Sequence, residues 1–302
     1  MSTTSKSPRR VLLVALEVGQ EVLRDYSHRY SPKKFTQPQL FACLVLKEFY
    51  RLDYRKLTGL FRDAPELAQA IGLKSTPHFT TFQKAAERLL RSGGAGQLLT
   101  ATLRLARQRG KLRGRIRLAA LDGSGWESHH ASHYYVRRRA QGGETRQKSW
   151  YRRFPKAGLA CDTRTHLILG LTPGRGPKSD ISHFRQLLSE ALGRVRFDTV
   201  AADAGYDAEH AHHHARDELG VRTLIPATIG RPTHKRPRGR WRRWMQSHLH
   251  RTHYGQRWQI ETVNSMLKRL QGSALRARSY WSQNRELHLR AITHNIMILR
   301  RN

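Results

Sequence analysis

Four side chains near the C-terminal end of the sequence, Tyr254, Arg257, Glu261 and Lys268, follow one another at steps of three, four and seven residues. At 3.6 residues per turn such steps return to nearly one face, so the spacing predicts a helix on which a carboxylate is flanked by two cations and a phenol. A carboxylate alone repels a nucleic acid backbone. Set among cations, it can hold a metal ion while its neighbours hold phosphates, which is the equipment of phosphoryl transfer. A metal-holding carboxylate needs partners, and two aspartates close apolar runs earlier in the chain. Asp122 follows the run 116–121 and precedes Gly-Ser-Gly, and Asp203 follows 197–202 and precedes Ala-Gly-Tyr-Asp. Both read as strand ends running into loops. Ligands gather at the carboxyl ends of strands in an open α/β sheet, so Asp122 and Asp203 are expected to converge there, joined by Glu261 from the later helix. Each acid also has a plainer reading. Asp122 suits a turn, Asp203 suits a helix cap with Asp207 as its rival in both roles, and Glu261 suits a surface ion pair with Arg257.

The elements that must position these groups follow from periodicity and breakers. After a loop to Lys156, residues 157–161 and 165–171 predict a hairpin turning near Asp162, then 179–188 a helix, 197–202 a strand, 207–219 a helix and 222–226 a further strand. The pattern alone says α/β. Ile260, Val263, Met266 and Trp258 are expected to pack the signature helix onto the sheet, and 285–301 reads as a closing amphipathic helix. Ahead of this lie an N-terminal arm, 1–35, and a small all-helical unit, 36–95, opened by Thr36 with an early proline and restarted by Asp53. That unit is compatible with a helix-turn-helix whose later helix, 81–90, enters the major groove and brings Thr80, Gln83 and Lys84 to DNA, or with a bundle that only supports the rest of the chain.

The Asp122-Gly-Ser start, the Ala-Asp203-Ala-Gly-Tyr-Asp turn and the Tyr254, Arg257, Glu261, Lys268 helix together resemble the DDE transposases of bacterial insertion sequences. The similarity runs from about Thr36 to the C-terminus. It implies a ribonuclease-H-like catalytic domain with a mixed sheet over 112–302, preceded by the helical DNA-binding unit. It makes Asp122, Asp203 and Glu261 the catalytic, metal-binding triad, with Tyr254, Arg257 and Lys268 as DNA contacts. It also implies Mg²⁺ as the cofactor, with Mn²⁺ as a substitute, in a two-metal reaction that cuts double-stranded DNA at the element's ends and joins them to a target. Pairing two ends implies a homodimer in the DNA complex. A domesticated, non-catalytic DNA-binding protein and a nuclease of the same fold are the alternatives. The interval between Asp203 and Glu261 is too short for a large inserted domain.

Composition is compatible with this. The 302 residues hold 56 Lys and Arg against 22 Asp and Glu, a formal charge of +34. Such a chain invites a polyanion, and binding driven by counterion release weakens as salt rises. No acidic residue stands between Glu218 and Glu261, where the basic loop 227–250 gathers Arg231, Lys235, Arg236, Arg238, Arg240, Arg242 and Arg243 around Trp241 and Trp244. This loop is expected either to clamp DNA, with Arg240, Arg242 and Arg243 on phosphates and the tryptophans on a distorted base, or to be a solvated loop with its tryptophans packed inward. Two cysteines, Cys43 and Cys161, make no disulfide framework. The run from Val11 is cut short by Glu17, and none approaches the roughly 18 apolar residues of a membrane span. A cytoplasmic, nucleoid-associated protein without a membrane partner is the expectation. His129, His130 and His133, and His210 with His212 to His214, have ligand-like spacing but no completing set, and are expected along the DNA surface or in solvent.

Overall fold

A computed structural model of the chain describes residues 4–91, 93–128, 154–176, 178–228 and 237–299. In chain order its elements are helices α1 (Pro8–Val22), α2 (Gln37–Phe49), α3 (Tyr54–Asp63), α4 (Pro65–Ala70), α5 (Phe79–Leu89) and α6 (Gly94–Gln108), then strands β1 (Arg115–Gly125), β2 (Glu127–Ser128), β3 (Phe154–Asp162) and β4 (Ile168–Gly176). Helix α7 (Ile181–Arg194), β5 (Arg196–Ala201), α8 (Glu209–His213), β6 (Arg222–Leu224), α9 (Arg240–His248), α10 (Arg251–Gly255), α11 (Trp258–Gln271), β7 (Ala274–Leu275) and α12 (Tyr280–Ile298) complete it. Two compact units result, one of residues 1–111, 267–272 and 279–302, the other of residues 112–266 and 273–278. No helix among the described residues is long and apolar enough to cross a membrane.

The first unit is helical, and its N-terminal part differs from the expected arm. Ser7 accepts from the Arg10 N–H, Pro8 occupies the first turn, and Val11, Leu12, Val14, Ala15 and Val18 are buried. The apolar run that imitates a leader is therefore one face of α1, packed on α2 and α6. Helix α2 begins with a capping box, Thr36 and Gln39 each bonding the other's backbone N–H, and Asp53 caps α3 by accepting from the Lys56 N–H at 2.7 Å. Helix α5 leaves Gln83 and Lys84 exposed. The closing helix, expected to be amphipathic, groups with these helices. Its second half is buried all round, polar Arg290, Thr293 and Asn295 included, because α1, α2, α5 and α6 all pack against α12. Inside this bundle the Arg290 guanidinium reaches Glu286 at 2.8 Å and Glu48 at 3.1 Å and donates to the Gly272 carbonyl at 2.6 Å.

The second unit is built on a five-stranded sheet in the order β4-β3-β1-β5-β6. Strands β3 and β4 form the expected antiparallel hairpin, β1 pairs antiparallel with β3, and β5 and β6 run parallel to β1. At the hairpin tip the Asp162 carboxylate accepts from the Arg164 and Thr165 N–H groups and the Thr165 hydroxyl. This mixed sheet fits a ribonuclease-H-like domain. Helix α7 lies close on β3 and β4, where a Cβ at Gly174 would stand 2.4 Å from the His183 ring. Strand β1 does not end at Asp122, as the sequence predicts. It runs on to Gly125 because β3 keeps pairing with it, Asp122 opposite Leu159. The parallel ladder with β5 does stop, at Ala120 and Ala201.

Removing one side of a buried ion pair leaves uncompensated charge. Arg290→Met, which takes the buried guanidinium from Glu48 and Glu286 and leaves Lys47 as the cation beside Glu48, should lower the unfolding free energy by about 3 kcal/mol in urea titrations of the full chain. A loss under about 1 kcal/mol would contradict the structural role assigned to Arg290.

Candidate active site

The last parallel pair fixes two carboxylates. Ala120 faces Ala201 at the end of the ladder, and Asp122 and Asp203 each follow two residues later, Asp122 still on β1 and Asp203 just beyond the end of β5, close enough for the charge of Asp203 to act on Asp122. Asp203 stays extended at φ −74°, ψ 175° and accepts from the Gly205 N–H at 3.0 Å, capping the short turn Ala204–Tyr206. The capping role and proximity to Asp122 therefore coexist. Burial, opposed by the Gly123 N–H, together with the charges of Asp203 and Asp180 raises the Asp122 pKa to about 6, against a weaker opposite pull from Arg257.

Asp207, the alternative to Asp203, is held elsewhere. Arg242 donates to both its oxygens, Nε to Oδ1 at 2.9 Å and Nη2 to Oδ2 at 2.7 Å, and the Thr228 N–H adds 2.7 Å. Burial works against its charge, but the His212 ring 3.6 Å away and the hydrogen bonds from Arg242 and the Thr228 N–H outweigh it and keep its carboxyl well below the usual range. Arg242, expected on DNA, thus serves as an internal partner whose carboxylate is fully buried.

The signature segment is not one helix. Gly255 ends α10, residues 256 and 257 form a turn, and α11 starts at Trp258. Tyr254 packs beside Ala201, Leu224 and Met245. Arg257 donates to Glu261, and although burial opposes its charge, that bond and the charges of Glu261, Tyr254 and Asp122 raise its pKa. Arg257 therefore stands in the field of both acids. Glu261 itself is 55% exposed. Ile260, Val263 and Met266 are buried as expected, but Trp258 is 53% exposed. Two residues from Ile260 is about 200° around a helix, so the two cannot share a face. Lys268 follows on the same helix, in the part that groups with the helical unit.

Three groups near Asp122 escaped the sequence reading. Asn264, one turn beyond Glu261, donates Nδ2 to Asp122 Oδ2 at 3.0 Å. Asp180 presses on Gly123, where a Cβ would come within 1.9 Å of Oδ1, and pairs with Lys156 at 2.7 Å. The Tyr206 hydroxyl is buried without a partner, and burial followed by the charges of Asp180, Asp122 and Asp203 raises its pKa strongly. Tyr206 lies inside the motif around Asp203 and Asn264 inside the signature, so both positions were legible. Asp180 falls within the segment expected to be a helix and stands just before α7, where its side chain makes no capping bond.

The basic segment is partly helical. Glu209 accepts from the Trp241 and Arg242 N–H groups and so starts α9 after Gly239. Arg216 lies 4.6 Å from the centroids of both Trp241 and Trp244, and Trp244 stacks on His248, so the tryptophans are organised by the protein, with Trp244 39% exposed. Arg240 and Arg243 are exposed. Arg231, Lys235, Arg236, His129, His130 and His133 lie outside the described residues. His212 and His214, expected at the surface, are buried against Thr223 and Glu218, where polar partners offset their burial.

Asp122 and Asp203 fit a hard divalent cation, since its charge would relieve both the burial and the mutual repulsion of two oxygen donors. Glu261 has not joined them, and among the described residues no group of three acids, histidines or cysteines is assembled for a metal. A family model described as the transposase DDE domain matches residues 113–296. No curated protein matches the chain.

The raised pKa has a stability consequence. Between pH 3.8 and about 6 the folded chain keeps a proton on Asp122 that the unfolded chain releases, so this group's contribution falls as pH rises through that window. Asp122→Asn should therefore raise the melting temperature near neutral pH by a few degrees with EDTA present. A melting temperature at or below the parent's contradicts the charge analysis.

Proposed function

Because the chain belongs to the transposase DDE-domain family, we propose that it binds the terminal inverted repeats of its own insertion sequence, cleaves the element's ends and transfers the strands into target DNA. The observation that carries this reading is that Asp122 and Asp203 each stand two residues past the last paired position of β1 and β5, with the charge of Asp203 raising the pKa of Asp122. Asp122, Asp203 and Glu261 would hold divalent cations, Mg²⁺ or in its place Mn²⁺. Bound there, these ions supply Lewis-acid activation of the attacking oxygen and stabilisation of the leaving 3′ oxygen.

The protein's own groups orient and neutralise. Asp203 serves as a ligand in preference to Asp207, whose oxygens are taken by Arg242 and the Thr228 N–H. Glu261 reaches the aspartates only on release from Arg257, and that release frees a guanidinium for a phosphate of the DNA. Tyr254, Lys268, Arg240 and Arg243 supply further contacts, and Lys84 on the exposed face of α5 contacts DNA from the helical unit. Two ends are held by a homodimer on the nucleoid.

Glu261→Gln keeps the helix and the size of the side chain while removing its charge. Incubated with Mg²⁺ and a supercoiled plasmid carrying the element with its flanking DNA, this variant should bind as the parent does and cut below detection. Parent-like cutting by the variant would show that Glu261 is not a member of the triad. Parent cutting without joined products would favour a nuclease.

A further inference from the structure

Asn264 is only 8% exposed and stands on α11 between the buried Ile260 and Val263 and the solvent-facing Glu261. A position so buried suits leucine or methionine, and an amide is tolerated there only if its polar atoms are matched. Only half of this amide is. Nδ2 donates to Asp122 Oδ2 at 3.0 Å, and Oδ1 is buried without a hydrogen-bond partner. An ionised carboxylate accepts and never donates, so Asp122 dictates which edge of the amide faces it. The oxygen is consequently turned away and left as an acceptor. With Oδ2 tied to α11, Asp122 keeps Oδ1 clear of Asn264. The bond also joins the carboxylate on β1 to the helix that carries Glu261 one turn earlier, about 4.5 Å along the axis.

We propose that Asn264 is a positioning residue of the cation site: it holds Asp122 in one orientation relative to the Glu261 helix and offers Oδ1 to a water on the hydrated ion. This rests on Asp122 being a ligand, as proposed above. Magnesium and manganese keep several waters when bound by few carboxylates, and an amide oxygen is a suitable acceptor for them. The two halves of the side chain then act together, one fixing a protein ligand and the other a water.

The test uses the full chain without DNA and reads Mn²⁺ affinity from the free-ion signal in electron paramagnetic resonance, with metal-free melting as a check on folding. Asn264→Leu, of similar size and unable to hydrogen-bond, should still melt cooperatively without metal and bind Mn²⁺ roughly 10- to 100-fold more weakly, the usual effect of losing an outer partner of a metal ligand. In plasmid cleavage the metal concentration for half-maximal rate should rise by the same factor, with the rate recovered at saturating Mn²⁺. Asn264→Ala gives the same readings if the leucine variant does not fold. Parent-like Mn²⁺ affinity in the folded variant overturns the proposal. Asp122→Asn separates the two layers of the argument. If it binds Mn²⁺ as the parent does, Asp122 is not a ligand and the role of Asn264 fails with it. If it loses Mn²⁺ while the Asn264 variant does not, only the positioning role fails.

Discussion

The parallel ladder between β1 and β5 ties together two aspartates far apart in the sequence. Backbone hydrogen bonds set its register, so a slip of one residue would displace the chain that runs from Ala201 to Asp203 relative to Asp122. Everything else in the candidate site depends on this placement. The antiparallel β3 extends β1 past the ladder and keeps Asp122 on ordered backbone, while Asp203 is held by the turn it caps. Helix α11 then approaches through Asn264 and carries Glu261 alongside.

In a chain with a formal charge of +34, the arrangement of the acids is more informative than the abundance of cations. Asp207 is fully buried and matched by Arg242, which holds the start of α9 against the sheet unit. Glu261 is matched by Arg257 but remains accessible. Asp122 and Asp203 differ from both, since their hydrogen bonds come from an amide and from backbone N–H groups. A carboxylate held beside another without a cation to match it lowers the stability of the free protein, which is the cost expected of the cation site proposed above.

Much of this was legible in the residues. The hairpin, the alternation of strands and helices, the proximity of the two aspartates and the burial of Ile260, Val263 and Met266 follow from periodicities of two and 3.6. What escaped prediction has physical causes. The end of a strand depends on its neighbour, and β3 carries β1 three residues past Asp122. Steps of three, four and seven do not exclude a break between two helices, and here a turn at 256 and 257 separates them. Charge counts cannot say which arginine finds an internal partner, and Arg242 found Asp207. Asp180 arrives beside Asp122 only because α7 packs tightly over glycines. Helix α12 looks amphipathic until the helices that surround it are known.

The central claim is that Asp122 and Asp203 share one divalent cation. Hydroxyl radicals generated at the bound ion would map it directly: the purified chain is loaded with Fe²⁺, treated with ascorbate and peroxide, and its fragments are sized by mass spectrometry. The account predicts backbone cuts clustered around residues 122 and 203, suppressed by excess Mg²⁺ and absent from the Asp122→Asn, Asp203→Asn double variant. Cuts elsewhere, or an unchanged pattern in the double variant, would contradict it.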